Sequence, residues 1–232
     1  MDLVWQGIRH AFELILRGDP QVMGIMWLSL KVSGLATLLS LLLGGPVGAL
    51  LGLSRFRGRR LILSLVNSGM GLPPVVVGLF VSILLWRSGP LGVLGLMYTP
   101  SAIVLAQLVI ATPVVAGLTA AAMQQLDPRL RLQLLGLGAS PLQSLAWLVR
   151  EARLSLLAAV MAGFGAVISE VGASMMVGGN ILHYTRVLTT ATVLETGKGN
   201  FDVAIALSVV LLTLTFLVTL ALTMAQQRGA AR

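Results

Sequence analysis

Leu126 to Gln143 reads LDPRLRLQLLGLGASPLQ and separates two long apolar runs. The segment from Ser88 to Leu126 before it carries no formal charge, and another membrane-length run follows it. Asp127 before Pro128 has the chemistry of an N-cap and a first helical position: the carboxylate accepts orphan backbone N–H groups, and proline lacks a donor where none is needed. The short helix that follows carries Arg129, Arg131 and Gln133 among leucines, and Gly136 and Gly138 are placed to stop it. Ala139 then leads into Ser140-Pro141-Leu142-Gln143, which has the form of a capping box. The spacing predicts a basic helix–glycine–helix corner between two spans, on a face that a soluble partner could grip.

Composition agrees with a membrane setting. Hydrophobic residues make up 56% of the 232 and charged residues 10%, against roughly a quarter charged in soluble domains. Mean hydropathy is +0.94. The absence of cysteine removes disulfides, thiolate nucleophiles and cysteine-based metal sites. A net charge of +8 would suggest nucleic acid in a soluble protein. Here basic residues in the links between spans account for it, and no nucleic-acid partner is expected.

Residues 1–20 read as an amphipathic N-terminal segment, with Leu3, Val4, Ile8, Ala11, Phe12 and Ile15 at helical spacing and Asp2, Gln6, Arg9, His10, Glu13 and Arg17 opposite. Without an apolar signal-type core or small-residue cleavage site, it is expected to lie in the membrane interface. Residues 21–232 read as one all-α transmembrane domain with about five spans and a loop at about 126–143. The spans are expected at about 23–53, 61–86, 100–125, 141–177 and 201–227, each longer than the ~20 residues that cross the hydrocarbon. Gly69, Gly71, Pro73 and Pro74 interrupt the second, Pro113 lies in the third and Glu170 in the fourth. The link 178–200 is expected to hold a short helix ended by Gly197.

Five spans put the termini on opposite sides. One side then holds Arg55, Arg57, Arg59, Arg60, Arg129, Arg131, Arg150, Arg153, Arg228 and Arg232; the other holds Arg9, Arg17, Arg87, Arg186 and Lys198. Positive charge concentrates in the cytoplasm, so the N-terminus is expected outside, and the C-terminus and the 126–143 corner inside.

Thr196-Gly-Lys-Gly199 lacks the upstream glycine and following hydroxyl of a P-loop, so no ATP site of that kind is expected. His10 and His183 have no carboxylate or serine constellation around them in sequence, and no catalytic or metal residues are assigned. Glu170 stands out, because a carboxylate inside a span is costly and takes a functional or paired role. Lys31 lies at a similar depth from the same side, roughly 12–15 Å at 1.5 Å per residue. A Lys31–Glu170 ion pair, serving either packing or gating, is the expectation.

These residues resemble a known family. The corner "LQLLGLGAS" at 132–140 is similar to the coupling loop of type I ABC importer permeases, with Gly138 at that loop's glycine. The usual Glu-Ala-Ala is replaced by Leu132-Gln133-Leu134, and the later Leu-Pro by "REAR" at 150–153. With "AGFGAVISEVGASMMVGGNI" at 162–181, "TRVLTTATVLETGKGNFDVAIAL" at 185–207, "GLPPVVVGL" at 71–79 and "GPLG" at 89–92, the chain resembles the tungstate-type branch of the molybdate/sulfate/tungstate permeases.

The resemblance implies a type I ABC importer fold in a bacterial or archaeal cytoplasmic membrane. It implies a second copy of the chain and two cytoplasmic ATPase subunits, which hold the ATP and Mg and receive the corner of Asp127, Arg129, Arg131, Gly136, Gly138, Ala139 and Ser140. It also implies an extracytoplasmic binding protein that delivers an oxyanion, tungstate or molybdate; a permease for sulfate or another anion is the nearest alternative. Arg129 and Arg131 suit either lipid phosphate or acidic ATPase residues. Beside Lys31 and Glu170, the groups able to meet an oxyanion at the outer side are Asn180, Thr185, Arg186, Thr189 and Thr190. An intramembrane enzyme would need a convergent catalytic set, and an ATP-independent carrier inverted repeats across its halves. Neither is found in the sequence.

Overall fold

The computed structural model describes residues 2–230, with side-chain surroundings for residues 5–227. Arg232, the Arg228 side chain and the side chains of Asp2, Leu3 and Val4 lie outside the described residues. The helices are α1 (Asp2–Arg17), α2 (Pro20–Leu53), α3 (Arg59–Met70), α4 (Pro74–Leu85), α5 (Pro100–Gln124), α6 (Pro128–Gly136), α7 (Pro141–Glu151), α8 (Arg153–Ile168), α9 (Gly172–Gly178), α10 (Leu188–Gly197) and α11 (Phe201–Ala230).

Four helices begin with one device, a capping side chain followed by proline. Asp19 accepts from the Val22 N–H at 2.9 Å and starts α2. Thr99 Oγ1 accepts from Ala102 at 3.3 Å and starts α5. Asp127 accepts from Arg129 at 2.8 Å and starts α6. Ser140 and Gln143 exchange both bonds of a capping box at the start of α7. Each cap satisfies backbone donors that the helix leaves orphaned, and proline's fixed φ suits the first turn.

The frame is the pair α2 and α5, which run parallel. Gly44, Gly48 and Gly52 of α2 sit against Thr112, Ala116 and Ala120 of α5, so close that an added Cβ would collide with the facing backbone. Small residues four apart let two membrane helices approach this closely, and dispersion over the seam replaces the hydrophobic drive that lipid cannot supply. Val32, Ala36, Val77, Ile103 and Val177 extend this core to α4 and α9. Val22, Ile25, Leu188 and Leu207 form a second cluster at one end of the bundle. Ala49, Met123 and Ala152 form a third at the other, arginine-rich end.

Among the described residues three helices, α2, α5 and α11, are long and apolar enough to cross a membrane alone, and up to five spans result if each bent pair counts as one. The expected second span is two helices, α3 and α4, meeting at 100°. Pro73 and Pro74 lack the donors that would continue the backbone ladder through residues 71–73. The expected fourth span is interrupted twice. α7 and α8 meet at 69° at Ala152, and α8 stops at Ile168 before α9 begins at Gly172. α10 fills the expected place in the link and ends at Gly197. On α1, Gly7 and Ala11 are buried, Gly7 against Ile205 of α11, whereas Trp5, Phe12 and Leu16 face outward.

Candidate coupling corner and helix-break site

At the arginine-rich end, α6 and α7 form the corner. Gly138 adopts φ +87, a left-handed conformation in which no neighbour lies within 4 Å of a would-be Cβ. The requirement for glycine is therefore conformational rather than steric. That turn lets the Leu137, Gly138 and Ala139 N–H groups close back on the carbonyls of Gln133, Leu135 and Leu134, which stops α6. Gly136 is the last residue of α6 and has no positive φ, so the stop belongs to Gly138 alone. The Arg131 guanidinium donates to the Leu53 carbonyl at 3.3 Å and moors the corner to the end of α2. Arg129 is exposed. Leu132, Leu137 and Leu142 are 69%, 86% and 76% exposed, an apolar patch on a polar corner, the composition of a contact surface.

At the opposite end, Glu170, Thr185, Asn180, Arg186, Thr189 and Thr190 come together around α9. Glu170 is buried, and its carboxylate accepts from the Ala173 N–H at 2.7 Å, the Ser174 N–H at 3.0 Å and Ser174 Oγ at 2.8 Å. Thr189 Oγ1 donates to the Glu170 carbonyl at 2.9 Å. Thr185 Oγ1 donates to Gly178 O at 2.6 Å and accepts from the Ile181 N–H. Thr190 closes the first turn of α10 on Val187. These three hydroxyls are committed to backbone groups, so they stitch the loop rather than face a path. Asn180 Nδ2 donates to Thr190 O and an Arg186 Nη to Asn180 O, both at 3.3 Å, which leaves Asn180 Oδ1 and Arg186 Nε with bonding capacity to spare. The loop also holds Gly179, Asn180 and His183 at positive φ, where the two L side chains are uncommon and strained.

The Lys31–Glu170 pair does not form. Lys31 is exposed on α2, on a different face from the buried Val32 and Ser33, and the Glu170 carboxylate is filled by donors of its own segment. Equal depth along two helices does not bring side chains together when they point to different azimuths. An ion pair among the described residues joins Lys198 Nζ to Glu195 Oε1 at 2.7 Å at the surface, with Asn200 Nδ2 on the other carboxylate oxygen. Hydrogen bonding from Lys198 first, and from Asn200, holds the Glu195 carboxyl below the usual range. The Thr196–Gly199 fragment is thus the C-terminal end of α10, the wrong end of a helix for a phosphate.

Two ties escaped the reading of the sequence. Ser29 Oγ accepts from the Leu188 N–H at 2.8 Å and fastens α10 to α2. Gln107 Nε2 donates to Val167 O at 3.1 Å, where α8 ends. An amide inside the uncharged run before Leu126 was the available signal for the second.

Residues 44–229 match the binding-protein-dependent transport system inner membrane component family. The chain belongs to that family. It is 40% identical over 216 residues to the tungstate uptake system permease protein TupB of Peptoclostridium acidaminophilum, covering 93% of this chain and 95% of that one. It is 40% identical over 198 residues to a probable anion ABC transporter permease of Haloferax volcanii, covering 83% and 85%. The molybdenum transport system permease ModB of Azotobacter vinelandii is 29% identical over 172 residues, covering 68% and 74%. In fold, the chain is similar to the MetNI methionine ABC transporter in inward-facing conformations, with a TM-score of 0.75 at 20% identity over 90% of this chain and 95% of that one. Permeases of this family are transport proteins, and the corner at 127–139 falls within the matched segment.

Proposed function

We propose that this chain is the membrane-spanning subunit of an ATP-driven oxyanion importer, with tungstate as cargo and molybdate as the second substrate. The observation that carries this reading is the 40% identity to a tungstate uptake permease along nearly the whole of both chains. Two copies line one path, an extracytoplasmic binding protein delivers the anion, and two cytoplasmic ATPase subunits supply the ATP and Mg chemistry. The positive-inside rule places the N-terminus outside and the arginine-rich end in the cytoplasm. The exposed leucines of the corner are then available to the ATPases, and nucleotide state shifts the permease only through unequal contacts with its two conformations. The 40% identity to a probable anion permease favours another anion, such as sulfate, as the second reading. Uptake of labelled tungstate by vesicles holding the whole complex, with molybdate and sulfate as competitors, tests it. Tungstate uptake that outlasts excess sulfate supports the proposal, and uptake of sulfate alone overturns it.

A further inference from the structure

α3 is the exception among the helices of the expected spans: none of its residues is buried within the chain. Its sequence RRLILSLVNSGM places Arg60, Ser64, Asn67 and Ser68 at helical spacings of four, three and one, so that they share one face, and all four are exposed. No acidic residue lies on that face, nor anywhere else in α3.

Depth makes this unusual. Gly117 of α5 lies against Val66 and Asn67, with Asn67 Oδ1 only 3.6 Å from where a Gly117 Cβ would stand, and Gly69 lies against Pro113. Gly117 is seven residues before the end of α5, so Asn67 sits roughly 11 Å inside that end by the helical rise. Elsewhere in the spans several hydroxyls return to their own helix, as Ser29, Thr37, Ser40 and Thr112 do at four residues' distance, whereas the Ser82, Thr119 and Ser144 hydroxyls are buried without a partner. Among the described residues, neither the Ser64 and Ser68 hydroxyls nor the Asn67 amide has such a partner. An exposed amide without a partner at that depth is costly against lipid and finds its bonds in a water-filled passage. The stripe also leads to a second irregularity. Val75 at the start of α4 packs on Gly172 at the start of α9, so the interruptions at 71–73 and 169–171 abut, and Ser169 beside them is exposed. Broken helices are tolerated at membrane depth where they border a cavity.

We infer that Arg60, Ser64, Asn67 and Ser68 line the inner half of the passage and hydrogen-bond a tetrahedral oxyanion as it moves from the paired helix breaks to the arginine-rich end. A face with amide, hydroxyl and guanidinium donors and no carboxylate suits such an anion. This rests on the oxyanion reading for the cargo, whereas the existence of the passage does not.

The chain has no cysteine of its own, so single cysteines report cleanly. Asn67→Cys and Ser68→Cys, in the full complex in membranes, should react with a small charged methanethiosulfonate reagent at least tenfold faster than Leu212→Cys on the exposed face of α11. Equal, slow reaction at all three overturns the passage, whatever the cargo is. Disulfide cross-linking between two copies of the Asn67→Cys chain, without labelling, also overturns it, since the stripe is then a dry interface. Where wild-type vesicles take up tungstate, vesicles of the Asn67→Asp complex should take it up at least tenfold more slowly with the complex still assembled by size-exclusion chromatography, and Asn67→Gln vesicles should keep most of the wild-type rate. Unchanged uptake in Asn67→Asp and Asn67→Leu overturns the oxyanion contact and leaves the passage to the labelling result. Wild-type vesicles that take up another cargo would instead count against the proposed function.

Discussion

Gln107 reaches from the middle of α5 to the Val167 carbonyl, 3.1 Å away, and holds the point at which α8 gives out. That carbonyl also receives the Ser169 and Glu170 N–H groups. The amide therefore tightens an interruption that already has backbone bonds. Its own Oε1 is buried without a partner, a cost that offsets part of the bond. Replacing Gln107 with Met removes the donor and the orphan acceptor together at similar volume. The expected loss is about 0.5–1.5 kcal/mol, seen as a Tm drop of a few degrees in the detergent-solubilised complex, with uptake retained at low temperature.

Glu170 behaves as a cap rather than as half of an ion pair. Glu170→Gln keeps one acceptor oxygen for Ala173 or Ser174 and gives up the charge-assisted share of the bonding, worth about 1.5–3 kcal/mol for such a group. Glu170→Lys places a buried cation against three donors and should abolish assembly. Lys31→Met should resemble wild type, and the double exchange Lys31→Glu with Glu170→Lys should rescue nothing. Yield of intact complex by size-exclusion chromatography measures all four.

Gly138 separates backbone from bulk. Since nothing lies near its missing Cβ, Gly138→Asn should keep most coupling, asparagine tolerating left-handed φ. Gly138→Val should cost about 1–2 kcal/mol in the turn and misdirect α7. Transport-stimulated ATP hydrolysis should fall severalfold for valine and little for asparagine.

The α2–α5 seam is steric instead. A methyl at Gly48 would run into the Ala116 carbonyl and Thr119, and overpacking of this kind costs about 1–3 kcal/mol. Gly48→Ala should lower Tm by several degrees, whereas Gly24→Ala, with open space around it, should leave it unchanged.

The Glu195–Lys198 pair carries a pH dependence with a definite sign. The folded carboxyl is held below its ordinary value near 4.5, so its stabilisation is complete above that value and fades as pH falls through the lower folded one. The lysine is half exposed, at 49%, and solvent screening keeps the effect small. Wild type and Glu195→Gln should differ slightly at pH 7 and converge as the pH falls below that ordinary value in thermal melts.

The corner was the most legible part of the chain. Asp127-Pro128, Ser140-Pro141 and Gly138 act locally, so their chemistry fixes caps and a left-handed turn whatever surrounds them. The Pro73-Pro74 break was readable for the same reason, since proline's missing donor is a property of the residue. The stop between Ile168 and Gly172 carried no proline, and Gln107 from α5, Thr189 from α10 and the Glu170 carboxylate of the break itself reveal why it is tolerated. The Lys31–Glu170 expectation failed because one-dimensional spacing gives depth but not the direction in which a side chain points. For the same reason Thr185, Thr189 and Thr190 read as free donors, whereas their hydroxyls are spent on carbonyls that only the folded loop brings near.

One contrast within the bundle bears on how it can move. Sliding α2 along α5 would lift Gly44, Gly48 and Gly52 off the small residues they rest upon, all at once. A swing of α3 about residues 71–73 would uncover no fully enclosed side chain of that helix. Of these two motions the swing at the proline pair disturbs less of the enclosed packing, with the glycine seam standing fixed beside it.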